Sequence, residues 1–533
     1  MVGLLLAIAC ANIASLLLAR ATNRHREMAI RLAIGAGRGR LIRQLLVESL
    51  LLTVMGGSLG LLFSSWGSRA LLALARYGSA VTNGGLDLSV DWRVVGFTLG
   101  VSLSTGLLLG ILPALRGAGV DLTAALKSQG RSVIGSAAGS RLSAGKLLIA
   151  GQFAFSLLLL VLAALFARSL QQLMRVDIGF DRDRLLVAGV DPHAAGYKPA
   201  ELPALYRRLV ERVGAVPGVT AASMSKFGPF GGGYITSSGS EVEGYTRRRN
   251  ERIVTAEDYI TPGYFRTVGL AMKMGRTFRP QDTAHSRKVT IINETMAQRY
   301  FQDRNPIGKR WGYGTNFDEW GFEIIGVVQD ARYNDLKDDL PNMAYLPVAQ
   351  RADDYLNSIE VRTEGTPAPL ADTIRHVLHE AEPRLSVSSV ETLDGRVVHT
   401  MRHERLLARL TMGFSSVALF LACLGLYGTI SYAVMRRTAE LGVRIALGAS
   451  RGAVQWLILR EALTLVLIGL LVGLPSALVV SRTMATLFYG ILPSDPAAHG
   501  AAVATLITIA ALAAYVPARR ASRVDPILAL RAE

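Results

Sequence analysis

The sequence is poor in cysteine and in charged residues. It contains only 2 cysteines, Cys10 and Cys423, in 533 residues, and both lie inside apolar runs. Two such residues cannot form a disulfide framework, so we interpret them as buried apolar side chains. Charged residues make up only 19% of the chain, whereas apolar residues make up 50%. This composition argues against a chain built only of ordinary soluble domains.

The shortage of acidic residues is confined to the apolar parts of the chain. Residues 169–402 contain 30 Lys/Arg and 30 Asp/Glu, so the net charge of +17 arises entirely outside them. A nucleic-acid-binding protein would instead gather its basic residues on a soluble domain. No nucleic-acid partner is therefore expected.

Motifs for catalysis and for nucleotide or metal binding are also missing from the sequence. No G-x-x-x-x-G-K-[ST] phosphate loop occurs. The pairs His376/His379 and His399/His403 have helical spacing, but neither pair lies in an H-E-x-x-H sequence or has a third ligand nearby. We therefore expect no catalytic, cofactor or metal site, and we expect any ATPase activity to reside in a partner.

Long apolar runs are the most prominent feature that the sequence does contain. A bilayer core of about 30 Å requires roughly 17–25 apolar residues in a helix. The runs of this kind are Val2–Ala19, Ser49–Trp66, Val94–Leu115, Leu147–Ala167, Leu410–Val434, Ala462–Val480 and Ala501–Val516. One globular core cannot bury so many uniformly apolar segments, so we predict a membrane protein with seven transmembrane helices.

Basic residues predict the orientation of these helices. The connecting segments that together hold 21 basic and 5 acidic residues are 20–43, 116–146, 436–460 and 519–533. The segments that together hold three of each are 76–93 and 482–500. Because basic connections stay on the cytoplasmic side of a membrane, we expect a cytoplasmic C-terminus and an extracytoplasmic domain at residues 168–404.

The sequence contains an internal repeat. A shift of 413 residues places Ala9-Cys10 on Ala422-Cys423, and residues 24–40 then match residues 437–453 at 8 of 17 positions. A shift of 404 residues aligns residues 113–127 with residues 517–531. We therefore predict two parallel three-helix repeats, one single helix and one α/β extracytoplasmic domain.

The first connection of each repeat carries the same charge geometry. In both copies a Glu precedes an Arg by four residues on a predicted helix, which is the orientation that favours an ion pair. A Gly follows at a spacing that suits a helix C-terminus. A helix lying on lipid headgroups is the simpler explanation for either copy alone, but two matched copies favour docking onto a partner with two equivalent sites. The matched residues are Glu27, Arg31 and Gly35 in the first copy and Glu440, Arg444 and Gly448 in the second.

Two carboxylates lie near the predicted membrane. Glu48 and Glu461 are equivalent under the repeat and follow Arg43 and Arg460 near the cytoplasmic starts of their helices. Carboxylates within a membrane are candidates for a functional role. So close to the interface, a helix-start charge or a local ion pair is an equally good explanation.

Residues 168–404 show the mixed pattern of a compact α/β domain, with two small subdomains as an alternative. Strands are predicted at Arg184–Val190, Val219–Lys226, Lys288–Ile292, Glu323–Val328 and Ser358–Arg362. Helices are predicted at Leu202–Val213, Glu294–Phe301 and Leu370–His379. The glycine-rich segment Phe227–Ser240 is predicted to be a mobile loop.

These features resemble a known family. The pattern E-x-[AG]-[IV]-R-x-A-[IL]-G-A-x-R after a membrane helix, present in both copies, is similar to that of FtsX-like, MacB-type permeases of ABC transporters. The closing residues 517–533 resemble the usual end of that family, and segments within residues 292–348 resemble its extracytoplasmic core domain. The duplication resembles a subgroup that carries two permease units in one polypeptide, and we expect the first helix and the first extracytoplasmic domain of that pattern to be missing here.

The resemblance gives the expected domain boundaries. They are a first FtsX-like permease block at 1–127, a cytoplasmic linker at 128–146, a transmembrane helix at 147–167, a MacB-like core domain at 168–404 and a second FtsX-like block at 405–533.

The resemblance also implies a function. A permease subunit of this family couples ATP hydrolysis by a separate ATP-binding subunit to movement of the extracytoplasmic domain, for export or mechanical work. Its short cytoplasmic helix contacts the ATP-binding subunit, which implicates the six matched residues named above. The alternative is an FtsX-like membrane regulator acting on an extracytoplasmic partner such as a cell-wall hydrolase. A membrane enzyme is a third class, and the sequence offers no catalytic constellation for it.

The partners and the location follow from the same resemblance. The implied partners are an ABC ATP-binding subunit in the cytoplasm, membrane lipid, and an extracytoplasmic substrate or adaptor protein. The implied location is the bacterial inner (plasma) membrane, which the chain would cross several times.

Overall fold

The chain forms two compact units. The computed structural model describes residues 2–15, 38–76, 92–93, 95–101, 103–104, 144–249, 251–302, 304–313, 321–351 and 353–523. The first unit, called the helical unit, comprises Met1–Gln172 and Glu404–Glu533. The second unit, called the α/β unit, comprises Leu173–His403.

The helices are numbered here along the described residues. They are α1 (Val2–Ser15), α2 (Arg38–Arg76), α3 (Ala144–Met174), α4 (Leu202–Gly214), α5 (Tyr264–Val268), α6 (Glu294–Phe301), α7 (Ala371–Ala381), α8 (Leu393–Thr400), α9 (Arg402–Arg436), α10 (Thr438–Ala446), α11 (Arg451–Thr483) and α12 (Pro496–Ala521). Residues 95–101 are also helical.

Four helices of the helical unit, α3, α9, α11 and α12, are long and apolar enough to cross a membrane. They contain the predicted segments 147–167, 410–434, 462–480 and 501–516. α1 is a shorter apolar helix, and a further apolar stretch, Thr53–Ser64, lies within α2. The predicted segments 2–19 and 94–115 lie only partly within the described residues.

α3 lies at the centre of the helical unit. In its most apolar stretch 67% of the residues are buried, compared with 28–33% in α9, α11 and α12. Its backbone runs close to α11, because a Cβ atom at Gly473 would lie 3.0 Å from the Cα atom of Ala154. On the side of α9, the Ser415 hydroxyl donates to the carbonyl oxygen of Leu159 over 2.7 Å. α3 therefore packs directly against two other long helices.

The α/β unit contains a mixed sheet. Its strands are β1 (Leu185–Asp191), β2 (Val219–Ser225), β3 (Ile235–Ser238), β4 (Ser240–Val242), β5 (Val254–Ile260), β6 (Met272–Gly275), β7 (Val289–Asn293), β8 (Arg310–Tyr313), β9 (Gly321–Val328), β10 (Met343–Pro347), β11 (Ser358–Thr363) and β12 (Ser386–Thr392). Their order is β12-β1-β11-β2-β5-β10-β7-β9-β8-β4, with β3 paired to β5 and β6 paired to β9. The β5/β10 and β7/β9 pairs are parallel, and the other pairs are antiparallel.

The core of the α/β unit lies between this sheet and its amphipathic helices. In α4 the buried residues recur at helical spacing, so that one face of the helix covers the sheet; they are Leu202, Leu205, Tyr206, Leu209 and Val213. α7 contributes Ile374 and Leu378 to the same core. Trp311 on β8 is fully buried there. All five predicted strands and all three predicted helices of this region are present, with ends shifted by one or two residues.

Two expectations about this unit need correction. The predicted loop 227–240 contains β3, which pairs with β5, and the first residue of β4. Within the same segment Phe230 is 8% exposed, and its N–H donates to the carbonyl oxygen of Tyr333 over 2.7 Å. The positive φ angles of Gly228 and Gly232 turn the chain back onto the sheet. The alternative of two subdomains is not supported, because the strands of the unit form one continuous sheet.

Candidate functional site

The second copy of the repeated segment forms α10, a short helix between α9 and α11. The Glu440 carboxylate accepts a hydrogen bond from Arg444 Nη2 over 2.7 Å. This is the ion pair that the i, i+4 spacing predicts. Both side chains are about half exposed, so the pair adds only a few tenths of a kcal/mol to the helix. Its main consequence is an ordered pair of opposite charges on an exposed face.

A glycine ends α10, as predicted. Gly448 has a φ angle of 94°, the left-handed conformation that favours glycine. Its N–H donates to the carbonyl oxygen of Ile445, and the N–H of Ala449 donates to that of Arg444, both over 3.0 Å. This pair of bonds is the Schellman motif, which satisfies carbonyl groups at the helix end. The turn therefore sets the direction in which the chain enters α11.

The two faces of α10 differ. Leu441 is buried and Ile445 is partly buried against the other helices of the unit. On the opposite side, Val443 is 42% exposed and Leu447 is 83% exposed, and they lie beside the Glu440–Arg444 pair. We call these four exposed residues the α10 surface. The sequence analysis identified its charged residues but not its apolar ones, because the exposure of Val443 and Leu447 depends on how α10 packs.

Glu461 of α11 joins three elements. Its carboxylate receives Lys146 Nζ of α3 at 2.9 Å and Nη1 of Arg437, which precedes α10, at 3.1 Å. The expectation of a local ion pair is therefore confirmed in kind, but the partners are distant in sequence and Arg460 is not one of those two. The carboxylate thus holds the start of α10 to both α3 and α11. Lys146 and Arg437 are site residues that sequence reasoning missed.

The opposite end of α3 is anchored as well. Arg168 Nη1 lies 2.7 Å from the carboxylate of Asp495, which also caps the first turn of α12. The Ser169 hydroxyl accepts a hydrogen bond from the N–H of Tyr489 over 2.8 Å. The rings of Phe166 and Phe488 pack with centroids 5.1 Å apart. α3 is therefore attached near both of its ends to the α11–α12 part of the unit.

The first copy of the repeated segment cannot be compared with the second. Glu27, Arg31 and Gly35 lie outside the described residues. The structure therefore places three of the six predicted interface residues, Glu440, Arg444 and Gly448, on α10 and in the turn that follows it.

The histidine pairs have ordinary surroundings. His376 forms an ion-pair contact with Glu380 at 3.1 Å, and His399 Nδ1 lies 3.5 Å from Glu391. Among the residues that the structure describes, no group of three or more His, Cys, Asp or Glu side chains is placed to hold a metal ion.

The fold and these contacts define a class of protein, a membrane permease with an extracytoplasmic α/β domain. The family model described as FtsX-like permease C-terminal matches residues 1–122 and again residues 412–526. The model described as MacB-like periplasmic core domain matches residues 153–377. Together the two models match most of the chain. The chain belongs to the family of MacB-like ABC transporter permeases.

Individual relatives agree with this assignment. The chain is 28% identical over 320 residues to the macrolide export ATP-binding/permease protein MacB of Sodalis glossinidius, covering 56% of this chain and 47% of that protein. It is 24% identical over 319 residues to the uncharacterized ABC transporter permease YvrN of Bacillus subtilis, covering 56% of this chain and 75% of that protein. A third relative is the probable syringafactin export ATP-binding/permease protein SyfD of Pseudomonas syringae pv. tomato, 26% identical over 310 residues, covering 56% of this chain and 45% of that protein. The chain thus spans about half the length of the two relatives named as fused ATP-binding/permease proteins.

Solved structures show a weaker likeness. The periplasmic region of MacB from Actinobacillus actinomycetemcomitans is 16% identical, with a TM-score of 0.28, and the match covers 42% of this chain and 95% of that one. The extracellular domain of the transporter YknZ is 18% identical, with a TM-score of 0.26, and the match covers 39% of this chain and 99% of that one. No conclusion rests on similarity at these TM-scores.

Proposed function

We propose that this chain is the transmembrane subunit of an ABC transporter, and that it couples ATP hydrolysis by a separate ATP-binding subunit to movement of its extracytoplasmic domain. The α10 surface and its repeat equivalent at Glu27, Arg31 and Gly35 dock onto the ATP-binding subunits. The observation that carries the proposal is the exposed, ordered face of α10, which the Glu461 carboxylate ties to α3 and α11.

The membrane part of the proposal has seven transmembrane helices, arranged as two parallel three-helix repeats and the single helix within α3. Its boundaries are a first permease block at 1–127, a linker at 128–146, a helix at 147–167, an extracytoplasmic domain at 168–404 and a second block at 405–533. The two separate matches to one permease model support the duplication. The excess of basic residues in the tail 519–533 supports a cytoplasmic C-terminus in a bacterial inner membrane.

Force would pass from α10 through α3. A push on α10 acts on Glu461 and so on Lys146 near one end of α3. Because α3 is buried along its length and anchored again at Arg168, it moves as a rigid rod together with α11 and α12. α3 leads directly in sequence into the α/β unit, and α9 leads out of it. This arrangement transmits work without a polar channel through the helices.

The names of two relatives favour export over regulation of a cell-wall hydrolase. MacB and SyfD are described as exporters of a macrolide and of syringafactin. The α/β unit contains an apolar cleft of about 510 Å³ between α4 and the segments around Pro262 and His285. Clefts of this size and character hold small apolar ligands. We propose that this cleft contacts the exported compound or the adaptor that delivers it.

Charge reversal on the α10 surface tests the coupling. The variant Glu440→Lys should lower the ATPase stimulation that the chain gives to its ATP-binding subunit by about ten-fold, as expected when a contact of about 1.4 kcal/mol is lost. The measurement is ATP hydrolysis by the reconstituted complex in lipid vesicles, compared at equal amounts of inserted chain.

Two controls separate docking from helix stability. The double variant Glu440→Arg, Arg444→Glu keeps an i, i+4 ion pair but inverts its polarity, so it should remain uncoupled. Glu380→Lys disrupts an exposed i, i+4 contact in the α/β unit and should leave ATP hydrolysis unchanged. Normal coupling in the inverted double variant would show that only helix stability matters and would refute the docking role.

A further inference from the structure

A polar contact lies among the apolar helices of the helical unit, where α1, α3 and α9 meet. Asn12 of α1 is 7% exposed and Gln152 of α3 is 2% exposed. The Asn12 side chain donates from Nδ2 to the carbonyl oxygen of Leu421 on α9 over 3.2 Å. Asn12 Oδ1 has no hydrogen-bond partner among the described residues. A buried amide between helices carries an energetic cost, so its presence calls for a specific role.

The contact depends on a glycine. A Cβ atom at Gly425 of α9 would lie 2.9 Å from Asn12 Oδ1 and 2.9 Å from Gln152 Oε1. Real Cβ atoms essentially never approach other atoms so closely. The Asn12 amide therefore uses the space that the missing side chain of Gly425 leaves.

The residues in contact are equivalent under the internal repeat. The shift of 413 residues places Asn12 on Gly425, Ile8 on Leu421 and Leu5 on Ala418. In the structure Ile8 and Ala418 belong to one buried cluster, and Leu5 and Leu421 pack against it. An interface in which a patch meets its own equivalent is the signature of a two-fold axis. α1 and α9 therefore meet as two copies of one chain would meet, although both belong to the same chain.

We infer that α1 occupies, on α9, the place that a second copy of this chain would otherwise take, so that the membrane part assembles as an internal pseudo-dimer from one polypeptide. The pairing of Asn12 with Gly425 selects this arrangement. Pairing α9 with α9 of another copy would set Gly425 against Gly425 and leave a gap without the amide contact. Pairing α1 with α1 would set two Asn12 amides in a space that holds one. A single polar residue in an apolar helix interface is well suited to selecting one partner in this way.

Cysteine crosslinking tests the inference directly in native membranes. In a background with Cys10→Ala and Cys423→Ala, the full chain carrying Ile8→Cys and Leu421→Cys should crosslink within one chain on mild oxidation or with a short bifunctional thiol reagent. When Ile8→Cys and Leu421→Cys reside on two differently tagged copies in the same cell, no crosslinked dimer should appear. A matched pair at exposed positions of the same helices, Leu6→Cys with Phe420→Cys, should not crosslink within a chain.

Glycine variants test the role of the amide contact. Gly425→Leu fills the space of the Asn12 amide and should lower crosslinking within the chain by about ten-fold, because overpacking costs enough free energy for such a change. Gly413→Leu on the same helix, where a Cβ atom would meet nothing within 4 Å, should leave crosslinking unchanged. Equal effects of the two variants would refute the role of Gly425.

Crosslinked dimers between tagged copies, at a yield equal to that of the single-chain pair, would overturn the pseudo-dimer itself. So would crosslinking of the exposed control pair with none between positions 8 and 421. The experiment requires no ATP-binding subunit, so its failure would be distinguishable from failure of the docking proposed above.

Discussion

Two carboxyl groups are fully buried in the sheet of the α/β unit. Asp258 on β5 accepts hydrogen bonds from the backbone N–H groups of Lys226 and Phe227 at 3.2 and 3.3 Å. Glu360 on β11 accepts one from the Ser225 hydroxyl at 2.6 Å. Burial disfavours the charged forms and raises the pKa of Asp258 to about 7 and that of Glu360 to about 8. The folded unit therefore holds protons near neutral pH that ordinary carboxyl groups have lost.

This difference predicts a pH dependence of stability. In the unfolded chain the two pKa values return to 3.8 and 4.5. Between these values and about pH 7–8 the folded state binds more protons, so the free energy of unfolding should fall as pH rises, by on the order of a few kcal/mol. Denaturant titration of residues 173–403, whose core is formed within the unit, measures this by tryptophan fluorescence.

Neutral variants serve as the comparison for the pH titration. Asp258→Asn or Glu360→Gln should flatten the decline in unfolding free energy between pH 5 and 8, estimated from the linkage of proton binding to folding. Glu364→Gln changes an exposed carboxyl and should leave the decline as it is. A wild-type stability that is constant or increases across this range would contradict the burial argument.

At the residue scale, the sequence showed which side chains to inspect but not their partners. Glu461 was identified because it carries charge near an apolar run. Its partners Lys146 and Arg437 are 315 and 24 residues away, and a long-range ion pair leaves no local signal in one sequence. The i, i+4 pair of Glu440 and Arg444 is local, and it was predicted correctly.

At the scale of helices, close packing of α3 on α11 depends on a G-x-x-x-G motif. Gly469 and Gly473 are four residues apart, on one face of α11. A Cβ atom at Gly469 would lie 2.7 Å from that of Phe153, and one at Gly473 would lie 3.1 Å from the carbonyl oxygen of Ala154. Small residues at this spacing let membrane helices approach closely. The motif is visible in the sequence, and it was not used in the sequence analysis.

Enlarging one of these glycines should weaken the helical unit. Gly473→Leu should lower the free energy of unfolding by about 1–3 kcal/mol, because the added side chain forces α3 and α11 apart. Thermal unfolding of the purified full chain in detergent measures the effect as a lower Tm. Gly452→Leu on the same helix, with nothing within 4 Å of its Cβ position, is the matched control. An equal loss of stability in both variants would contradict the packing argument.

Elements were predictable where their pattern was apolar and local. β7 and β9 are largely apolar runs and were found from their composition. β5 was missed although six of its seven residues are buried, because its sequence VTAEDYI includes Glu257 and Asp258. Hydrogen bonds from Ser237, Tyr313 and the backbone satisfy these carboxylates inside the fold. A polar residue in a core strand can be recognised only once its partners are known.

At the scale of the whole molecule, the proposed orientation places the two units on different sides of the membrane. In the background with Cys10→Ala and Cys423→Ala, Leu447→Cys on the α10 surface should react with an impermeant maleimide only after the membrane is permeabilised. Glu380→Cys on α7 should react in intact spheroplasts. Leu447 and Glu380 are both exposed within their own units, so access depends on the membrane alone.

The control for the labelling experiment is the same reaction in inside-out vesicles. There the pattern should reverse, with Leu447→Cys labelled and Glu380→Cys protected. Labelling of both positions from the same side would be incompatible with the orientation that the basic residues predict.

The sequence by itself determined the class of this protein, because hydropathy, charge asymmetry and repetition are additive properties of the chain that need no knowledge of contacts. It indicated the long apolar helices, the α/β unit between them and the repeated segment with its ion pair. Only the tertiary structure decided which residues meet: Glu461 with Lys146, Asn12 with Gly425, and Asp258 with the start of the loop after β2. These contacts join residues far apart in the chain, and their energies depend on burial and geometry that exist only after the helices and strands have packed.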